Sequence, residues 1–366
     1  MWAKLGKLFK NNTFNLFLII GITVLVLWGT LKDDTSAKLS MLAHADWRWV
    51  LVIVLIMILT QVILGWALAK TCQLTNPKYT WAQGILNAFV ASFFNGITPS
   101  ASGGQFAQVY IFRKQGIPVS NSAGVLWMDF IIYQTTMVLS VFVLILLRFH
   151  VFYARYSQFF IIVLFGFAVN AAVIGGLWAL VSFPKFYTWL TTQGLEIGCK
   201  MHLIKDREKA LKSINEQLER FGGEVKVLKT HRRLIMQISL ADFTRLLLYY
   251  SVPFFCSLAL HIPVSPSLLL DVIVLSSFVS MVNAFIPLPG SSGGTEASFV
   301  LMFSTIFGQI SASSIMIMWR FMTYYLMLVL GGMVFLYAKS RPDVEIPAAA
   351  GTAQPAEELL EKEERL

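Results

Sequence analysis

The amino-acid sequence predicts an all-α integral membrane protein with six full spans and two re-entrant broken helical hairpins that are related as inverted repeats. Composition is the first observation behind this prediction: 56% of the residues are hydrophobic and only 13% are charged, whereas soluble domains carry about 25% charged residues. Six apolar segments are also long enough to cross a bilayer, which takes about 20 residues. Finally, proline and glycine residues interrupt two further apolar stretches near their middle.

The six predicted spans are separated by segments that carry most of the charged residues. They cover residues 14–31, 47–69, 121–147, 158–182, 234–260 and 311–338. Lysines precede the first span at positions 4, 7 and 10, as in a signal peptide, but no small-x-small cleavage site follows it. We therefore expect this span to stay uncleaved.

The two interrupted stretches, 81–112 and 267–308, predict the re-entrant hairpins. The halves on either side of each interruption are too short to cross the bilayer comfortably alone. We expect each stretch to form two half-helices that enter and leave the membrane on the same side.

The basic residues indicate the orientation of the spans. With the amino terminus in the cytoplasm, the cytoplasmic segments hold twenty Lys and Arg residues and the outer segments hold five. Cytoplasmic loops of membrane proteins are enriched in these residues. We therefore expect both termini in the cytoplasm, and the net charge of +9 does not suggest nucleic-acid binding.

Residues 1–341 are predicted to form one membrane domain. Within it, the cytoplasmic segment 183–233 places apolar residues on one helical face and charges elsewhere, which favours an amphipathic helix on the membrane surface or a solvated connector. Residues 342–366 are rich in Ala, Pro and Glu and are predicted to be a disordered cytoplasmic tail.

The two interruptions share a sequence pattern. Pro99–Gly104 reads PSASGG and Pro289–Gly294 reads PGSSGG, so the proline, the second serine and both final glycines coincide. The expected topology orients the two copies oppositely in the membrane. Inverted repeats with broken helices near the midplane are a transporter design in which the freed helix ends face substrate. Tight helix packing by small residues is the alternative explanation of the glycines.

Ionisable residues within the apolar segments are candidates for function, because charges in a bilayer are costly. Glu296 lies at the start of a half-helix, where it acts either as a ligand or as a partner of the helix dipole. Asp129 and Arg320 lie within spans, where they could pair with each other or bind the two charges of a zwitterionic head group. Asp242 and Arg245 are spaced for a local ion pair.

The half-helix after the first interruption carries amides at Gln105 and Gln108, which could meet a head group or a neighbouring helix. Arg113 and Lys114 follow, and either topology or phosphate binding explains them. The three cysteines and five histidines are scattered, so no metal site or cofactor is expected.

Two runs resemble a known family. The first is Asn95–Gln105, followed by Arg113 and Asp129, and the second is Ile286–Ala297. Both are similar to the lysylphosphatidylglycerol synthase transmembrane region, also described as flippase-like membrane proteins. This resemblance covers about residues 10–340 and implies a bacterial cytoplasmic membrane protein.

In bifunctional members of that family, the membrane region is thought to move aminoacylated phosphatidylglycerol to the outer leaflet. A separate cytosolic domain makes that lipid from aminoacyl-tRNA. This chain ends about 25 residues after its last predicted span, so that domain is expected to be absent and a lysyltransferase activity is not expected.

The leading hypothesis is therefore a flippase for a phospholipid or another lipid-linked head group, whether anionic, aminoacylated or glycosylated. A lipid head-group-modifying enzyme and a membrane scaffold for a separate synthase are the alternatives. The predicted head-group contacts are Asn95, Pro99, Gly103, Gly104, Gln105, Gln108, Arg113, Asp129, Pro289, Gly290, Gly293, Gly294, Glu296 and Arg320. The oligomeric state and the energy coupling are not visible in the sequence, which lacks a nucleotide-binding loop.

Overall fold

The computed structural model describes residues 40–98, 101–182, 230–283 and 290–344, and every regular element in these ranges is helical. The helices are α1 (Trp47–Cys72), α2 (Trp81–Ile97), α3 (Gly103–Lys114), α4 (Val119–Ser182), α5 (Arg232–Ala259), α6 (Leu269–Asn283), α7 (Gly294–Phe307), α8 (Gln309–Arg320) and α9 (Leu326–Ser340). A 3₁₀ turn, Pro266–Leu268, leads into α6, and a π-helical turn, Phe321–Tyr325, joins α8 to α9. The predicted span 14–31 lies outside the described residues.

Four helical segments are long and apolar enough to cross a membrane. They are Trp47–Cys72, Asn121–Arg148, Pro266–Asn283 and Gln309–Ser340. Three of them confirm predicted spans. The predicted span 234–260 corresponds to α5, which has 28 residues but is not among these four.

The remaining segment, Pro266–Asn283, belongs to the second interrupted stretch, whose halves were expected to be too short to cross. The re-entrant arrangement of this stretch stays a prediction. Its 3₁₀ turn continues directly into α6, so the first half of this stretch has 18 residues and is long enough to cross. The corresponding half of the first stretch, α2, has only 17 residues, and α3 after it has 12. The inverted-repeat relationship between the two stretches stays a prediction.

The long helix α4 turns back on itself. Gln134 Nε2 donates a hydrogen bond to Asn170 Oδ1 at 2.8 Å, and the rings of Phe142 and Phe167 stack with centroids 5.9 Å apart. The first pair would be about 54 Å apart in a straight helix. The chain therefore reverses direction between 142 and 167, and α4 consists of two antiparallel arms.

The last residues of α3 contact the last residues of α9. Lys114 Nζ donates to the carbonyl oxygens of Lys339 at 2.8 Å and Arg341 at 2.7 Å, and it lies 3.3 Å from Asp343 Oδ1. Val344 N also donates to Lys114 O at 2.9 Å. The first residues of the predicted disordered tail are thus held against α3, and residues 345–366 lie outside the described ranges.

Two further contacts join helix ends, one between α4 and α6 and one between α1 and α5. Arg148, at the end of the first arm of α4, lies 3.2 Å from Asp271 at the start of α6. Asp46 N, at the start of α1, donates to Ala259 O at the end of α5 at 2.8 Å. These are the chain positions that the sequence places on the outer side.

Candidate functional site

Arg320 is the centre of a buried polar group at the second interruption. It is the last residue of α8, directly before the π-helical turn, and it is only 7% exposed. Such π turns are rare and occur often at functional sites. Its side chain points to the broken backbone that precedes α7.

Glu296 pairs with Arg320 across this group. It lies in the first turn of α7 and is 5% exposed. Arg320 Nε lies 2.8 Å from Glu296 Oε1 without the alignment of a hydrogen bond. The other oxygen, Oε2, accepts a hydrogen bond from Gly293 N at 2.6 Å. One carboxylate therefore neutralises the guanidinium and caps the amino terminus of α7.

The broken backbone itself also binds Arg320. Its Nη2 donates to Gly290 O at 2.5 Å and to Ser292 Oγ at 3.0 Å. Gly290 has a φ of +58°, a conformation that glycine adopts at little cost. A non-helical carbonyl at membrane depth needs a hydrogen-bond partner from the protein, and the guanidinium is that partner.

The first interruption is closed differently. Gly104 N donates to Asn95 Oδ1 at 3.0 Å, and Gly103 N donates to Thr98 Oγ1 at 2.8 Å. Side chains at the end of α2 thus satisfy two amino-terminal N–H groups of α3. A side chain at position 104 would put its Cβ only 2.0 Å from Asn95 Oδ1, so this contact requires glycine.

Tyr324 connects the two interruptions. Its hydroxyl donates to Gly96 O, in the last turn of α2, at 2.9 Å. The Arg320 guanidinium lies over the Tyr324 ring, 4.3 Å from its centroid. The sequence reasoning missed this tyrosine, although it stands one helical turn after Arg320 and so shares a face with it.

The other predicted contact residues lie apart from this group. Gln105 and Arg113 are on the exposed surface of α3. Gln108 is buried at 7% exposure, and its backbone carbonyl accepts a hydrogen bond from Asn87 Nδ2 at 3.3 Å. Pro99 and Pro289 lie outside the described residues.

Asp129 does not pair with Arg320, contrary to one of the two arrangements expected. It lies instead near Asp242 and Arg245 of α5, close enough for their charges to act on it. The expected local pair in α5 is confirmed, because Arg245 Nη2 lies 3.1 Å from Asp242 Oδ1. Sequence spacing thus determines the pair within α5, whereas the packing of α4 on α5 determines that Asp129 lies near it.

Comparisons with known proteins find one membrane family and two mycoplasma proteins. A profile of the family described as "Lysylphosphatidylglycerol synthase TM region" matches residues 16–331. "Uncharacterized protein MG306 homolog" of Mycoplasma pneumoniae is 22% identical over 348 residues, which are 87% of this chain and 85% of that protein. "Uncharacterized protein MG306" of Mycoplasma genitalium is 24% identical over 145 residues, which are 34% of this chain and 36% of that protein. No solved structure matches the chain.

Proposed function

The chain belongs to the family of lysylphosphatidylglycerol synthase TM regions, and from this premise we propose that it moves a charged lipid head group between the leaflets of a bacterial cytoplasmic membrane. The family and the apolar helices make it a multi-pass membrane protein with a lipid-related function. Translocation, as the specific activity, is our proposal.

The observation that carries the proposal is the buried pair of Glu296 and Arg320 at broken backbone. Two opposite charges at 5% and 7% exposure within apolar segments are costly to keep in a membrane. A lipid head group can match both residues. Its phosphate matches the positive charge of Arg320, and a cationic or hydroxyl group on the same head can bind the carboxylate of Glu296. The site thus suits an anionic, aminoacylated or glycosylated lipid.

The proposed step is an exchange of partners. The lipid phosphate replaces Glu296 at the Arg320 guanidinium, whose planar donors suit a phosphate. The carboxylate of Glu296 then accepts a hydrogen bond from the amino or hydroxyl group of the head. The head group crosses in this polar environment while its acyl chains stay in the lipid.

Access from both leaflets is part of the proposal. We place the end of the bundle at Lys114 in the cytoplasm and the helix ends at Arg148 and Asp271 outside, as the basic residues suggest. The first hairpin, α2 and α3, then opens inward and the second opens outward. Tyr324, bonded to Gly96 and stacked on Arg320, gives the two hairpins a common contact.

The test measures lipid movement by the reconstituted full chain. Vesicles contain fluorescent phosphatidylglycerol, lysyl-phosphatidylglycerol or phosphatidylcholine in separate preparations, and a membrane-impermeant quencher reports transbilayer movement. The wild-type chain should move phosphatidylglycerol or lysyl-phosphatidylglycerol, the two probes with a net charge, faster than they move in protein-free vesicles. Arg320→Lys keeps the charge but loses the planar donor set, and should slow movement about tenfold, as expected for a loss of about 1.4 kcal/mol.

Arg148→Gln is the matched control. It also removes an arginine with an acidic partner, Asp271, but position 148 is far along the chain from both interruptions. It should move lipid at the wild-type rate. The proposal is overturned if the wild-type chain moves none of the probes faster than empty vesicles. It is also overturned if Arg148→Gln and a monodisperse Arg320→Lys protein lose activity equally.

A further inference from the structure

A second group of charged residues lies outside the Arg320 site, between α4 and α5. Asp129 and Tyr133 belong to the first arm of α4, and Asp242 and Arg245 belong to α5. The Arg245 guanidinium lies over the Tyr133 ring, 4.6 Å from its centroid. The proposed exchange at Arg320 leaves this group without a role.

The carboxylates in this group are poorly satisfied. Asp242 is 0% exposed, and its contact with Arg245 at 3.1 Å is an ion pair without hydrogen-bond alignment. Neither oxygen of Asp242 has a hydrogen-bond partner, nor does the buried Oδ1 of Asp129. Buried polar atoms normally have such partners, and a proton bound to one of these carboxylates would supply a hydrogen-bond donor.

The charges in this group do not balance. Among the residues that the structure describes, two carboxylates lie near one guanidinium, which leaves one negative charge inside the apolar bundle. Neighbouring carboxylates disfavour each other's ionised form, and an uncompensated charge is costly there. One bound proton removes the excess charge. A metal ion needs several ligands, and in the part of the chain that the structure describes no three His, Cys, Asp or Glu residues are grouped to hold one.

We propose that Asp129 and Asp242 share one exchangeable proton, and that its uptake and release couple lipid movement to the transmembrane proton gradient. The coupling, though not the proton site itself, rests on the proposed translocation.

Tyrosines connect the proton site to the lipid site. Tyr249 of α5 lies near both Tyr133 of α4 and Arg320 of α8. Its ring also contacts the ring of Tyr250, with centroids 6.0 Å apart. Among the described residues, the charged or titratable groups beside the two carboxylates are Arg245 and Tyr133. Loss of the proton adds a negative charge that attracts Arg245, and the proposed coupling carries this change to Arg320 through the packing of Tyr249.

Infrared difference spectroscopy tests the proton site without reference to transport. The reconstituted wild-type chain should show a protonated carboxyl band that disappears as the buffer is changed from acidic to alkaline. Asp129→Asn should lose this band, because Arg245 then balances the single carboxylate of Asp242. The double variant Asp242→Asn with Arg245→Gln leaves Asp129 as one unbalanced carboxylate, so it should keep a protonated carboxyl band. Asp271→Asn is the control and should keep it. A band that persists in Asp129→Asn, a double variant without the band, or no band in the wild-type chain overturns the proton site.

A second measurement tests the coupling. Movement of the best fluorescent probe is compared with and without an imposed pH gradient across the vesicles. The wild-type chain and Asp271→Asn should respond several-fold to the gradient, whereas the ratio of the two rates should fall to one in Asp129→Asn. An unchanged ratio in Asp129→Asn overturns the coupling. If the wild-type chain moves no probe under any gradient, translocation itself fails, and the infrared result still decides whether the proton site exists.

Discussion

Arg320 shows how one side chain can stabilise a break in a membrane helix. Broken backbone leaves polar groups that lipid cannot satisfy. The guanidinium meets three of the groups around the second break: the carbonyl of Gly290, the hydroxyl of Ser292 and the carboxylate of Glu296. Arginine suits this place because it combines a permanent charge with donors in a fixed planar arrangement. The proposed lipid binding and the stability of the break therefore depend on the same residue.

Removing the partner of Arg320 should destabilise the protein strongly. Glu296→Gln leaves a buried guanidinium without its countercharge, and breaking a buried pair costs about 3–5 kcal/mol. We expect a clear decrease in the thermal unfolding midpoint of the detergent-solubilised chain, followed by intrinsic tryptophan fluorescence.

The matched control is Asp271→Asn, which breaks the more exposed pair with Arg148 (30% and 12% side-chain exposure). Such pairs contribute about 0–1 kcal/mol, so its midpoint should hardly change. Combining Glu296→Gln with Arg320→Gln removes both charges and should recover part of the loss. Equal midpoints for Glu296→Gln and Asp271→Asn would show that the buried pair is not important for stability.

At the scale of elements, small residues set how closely α1 and α2 approach. Gly65 in α1 and Gly84 in α2 lie at the crossing, where a Cβ at position 65 would stand 2.3 Å from Ile85 Cα and one at position 84 would stand 2.1 Å from Gly65 O. Membrane helices use small residues for such close contacts. This contact holds the first hairpin against the bundle. Close packing also applies at the two interruptions, where a Cβ at position 104 would stand 2.0 Å from Asn95 Oδ1 and one at position 290 would stand 2.4 Å from Tyr324 Cε2.

Two glycine-to-alanine substitutions should therefore have opposite effects. Gly65→Ala places its methyl group against the backbone of α2, so α1 and α2 must separate and the unfolding midpoint should decrease. Gly175→Ala has no atom within 4 Å of the new methyl group, and alanine stabilises a helix by about 1 kcal/mol relative to glycine.

Thermal unfolding of the two purified variants, beside the wild-type chain, checks this prediction. Both substitutions add the same methyl group within a helix, so any difference between them reports the crossing of α1 and α2. A Gly65→Ala protein as stable as Gly175→Ala would contradict the close approach.

At the scale of the whole molecule, helix ends that contact each other are also ends that the predicted order of spans puts on the same side of the membrane. The end of α3 meets the end of α9 through Lys114, and the first arm of α4 ends against α6 through Arg148 and Asp271. The distribution of basic residues assigns the first group to the cytoplasm and the second to the outer side.

Cysteine labelling of intact cells tests this assignment. Both test variants also carry the substitution Cys199→Ser, and the remaining cysteines, Cys72 and Cys256, are buried. A membrane-impermeant maleimide should label an added Ser265→Cys, which is exposed before α6, but not Ser340→Cys, which is exposed at the end of α9. Both variants should react after the cells are permeabilised. Labelling of Ser340→Cys alone in intact cells would reverse the orientation, and labelling of both would refute opposite sides.

Local properties explain how much of the fold was predictable. Spans at 47–69, 121–147 and 311–338 follow from length and apolar content, and the structure has helices there. The first half of the second interrupted stretch was expected to be too short to cross, but Pro266–Asn283 is long and apolar enough because a 3₁₀ turn adds to α6. The π-helical turn after Arg320 contains no proline or glycine from which it could have been predicted.

The sequence by itself determined that this is a helical membrane protein and where its helices are interrupted, because apolar length and the effects of proline and glycine act locally along the chain. It also identified Glu296, Asp129 and Arg320 as unusual charges, since any ionisable group in an apolar run is conspicuous. Only the tertiary structure decided their partners. Arg320 meets Gly290 from 30 residues away, and Tyr324 meets Gly96 from 228 residues away. Contacts over such separations depend on how helices pack, which spacing along the chain does not encode.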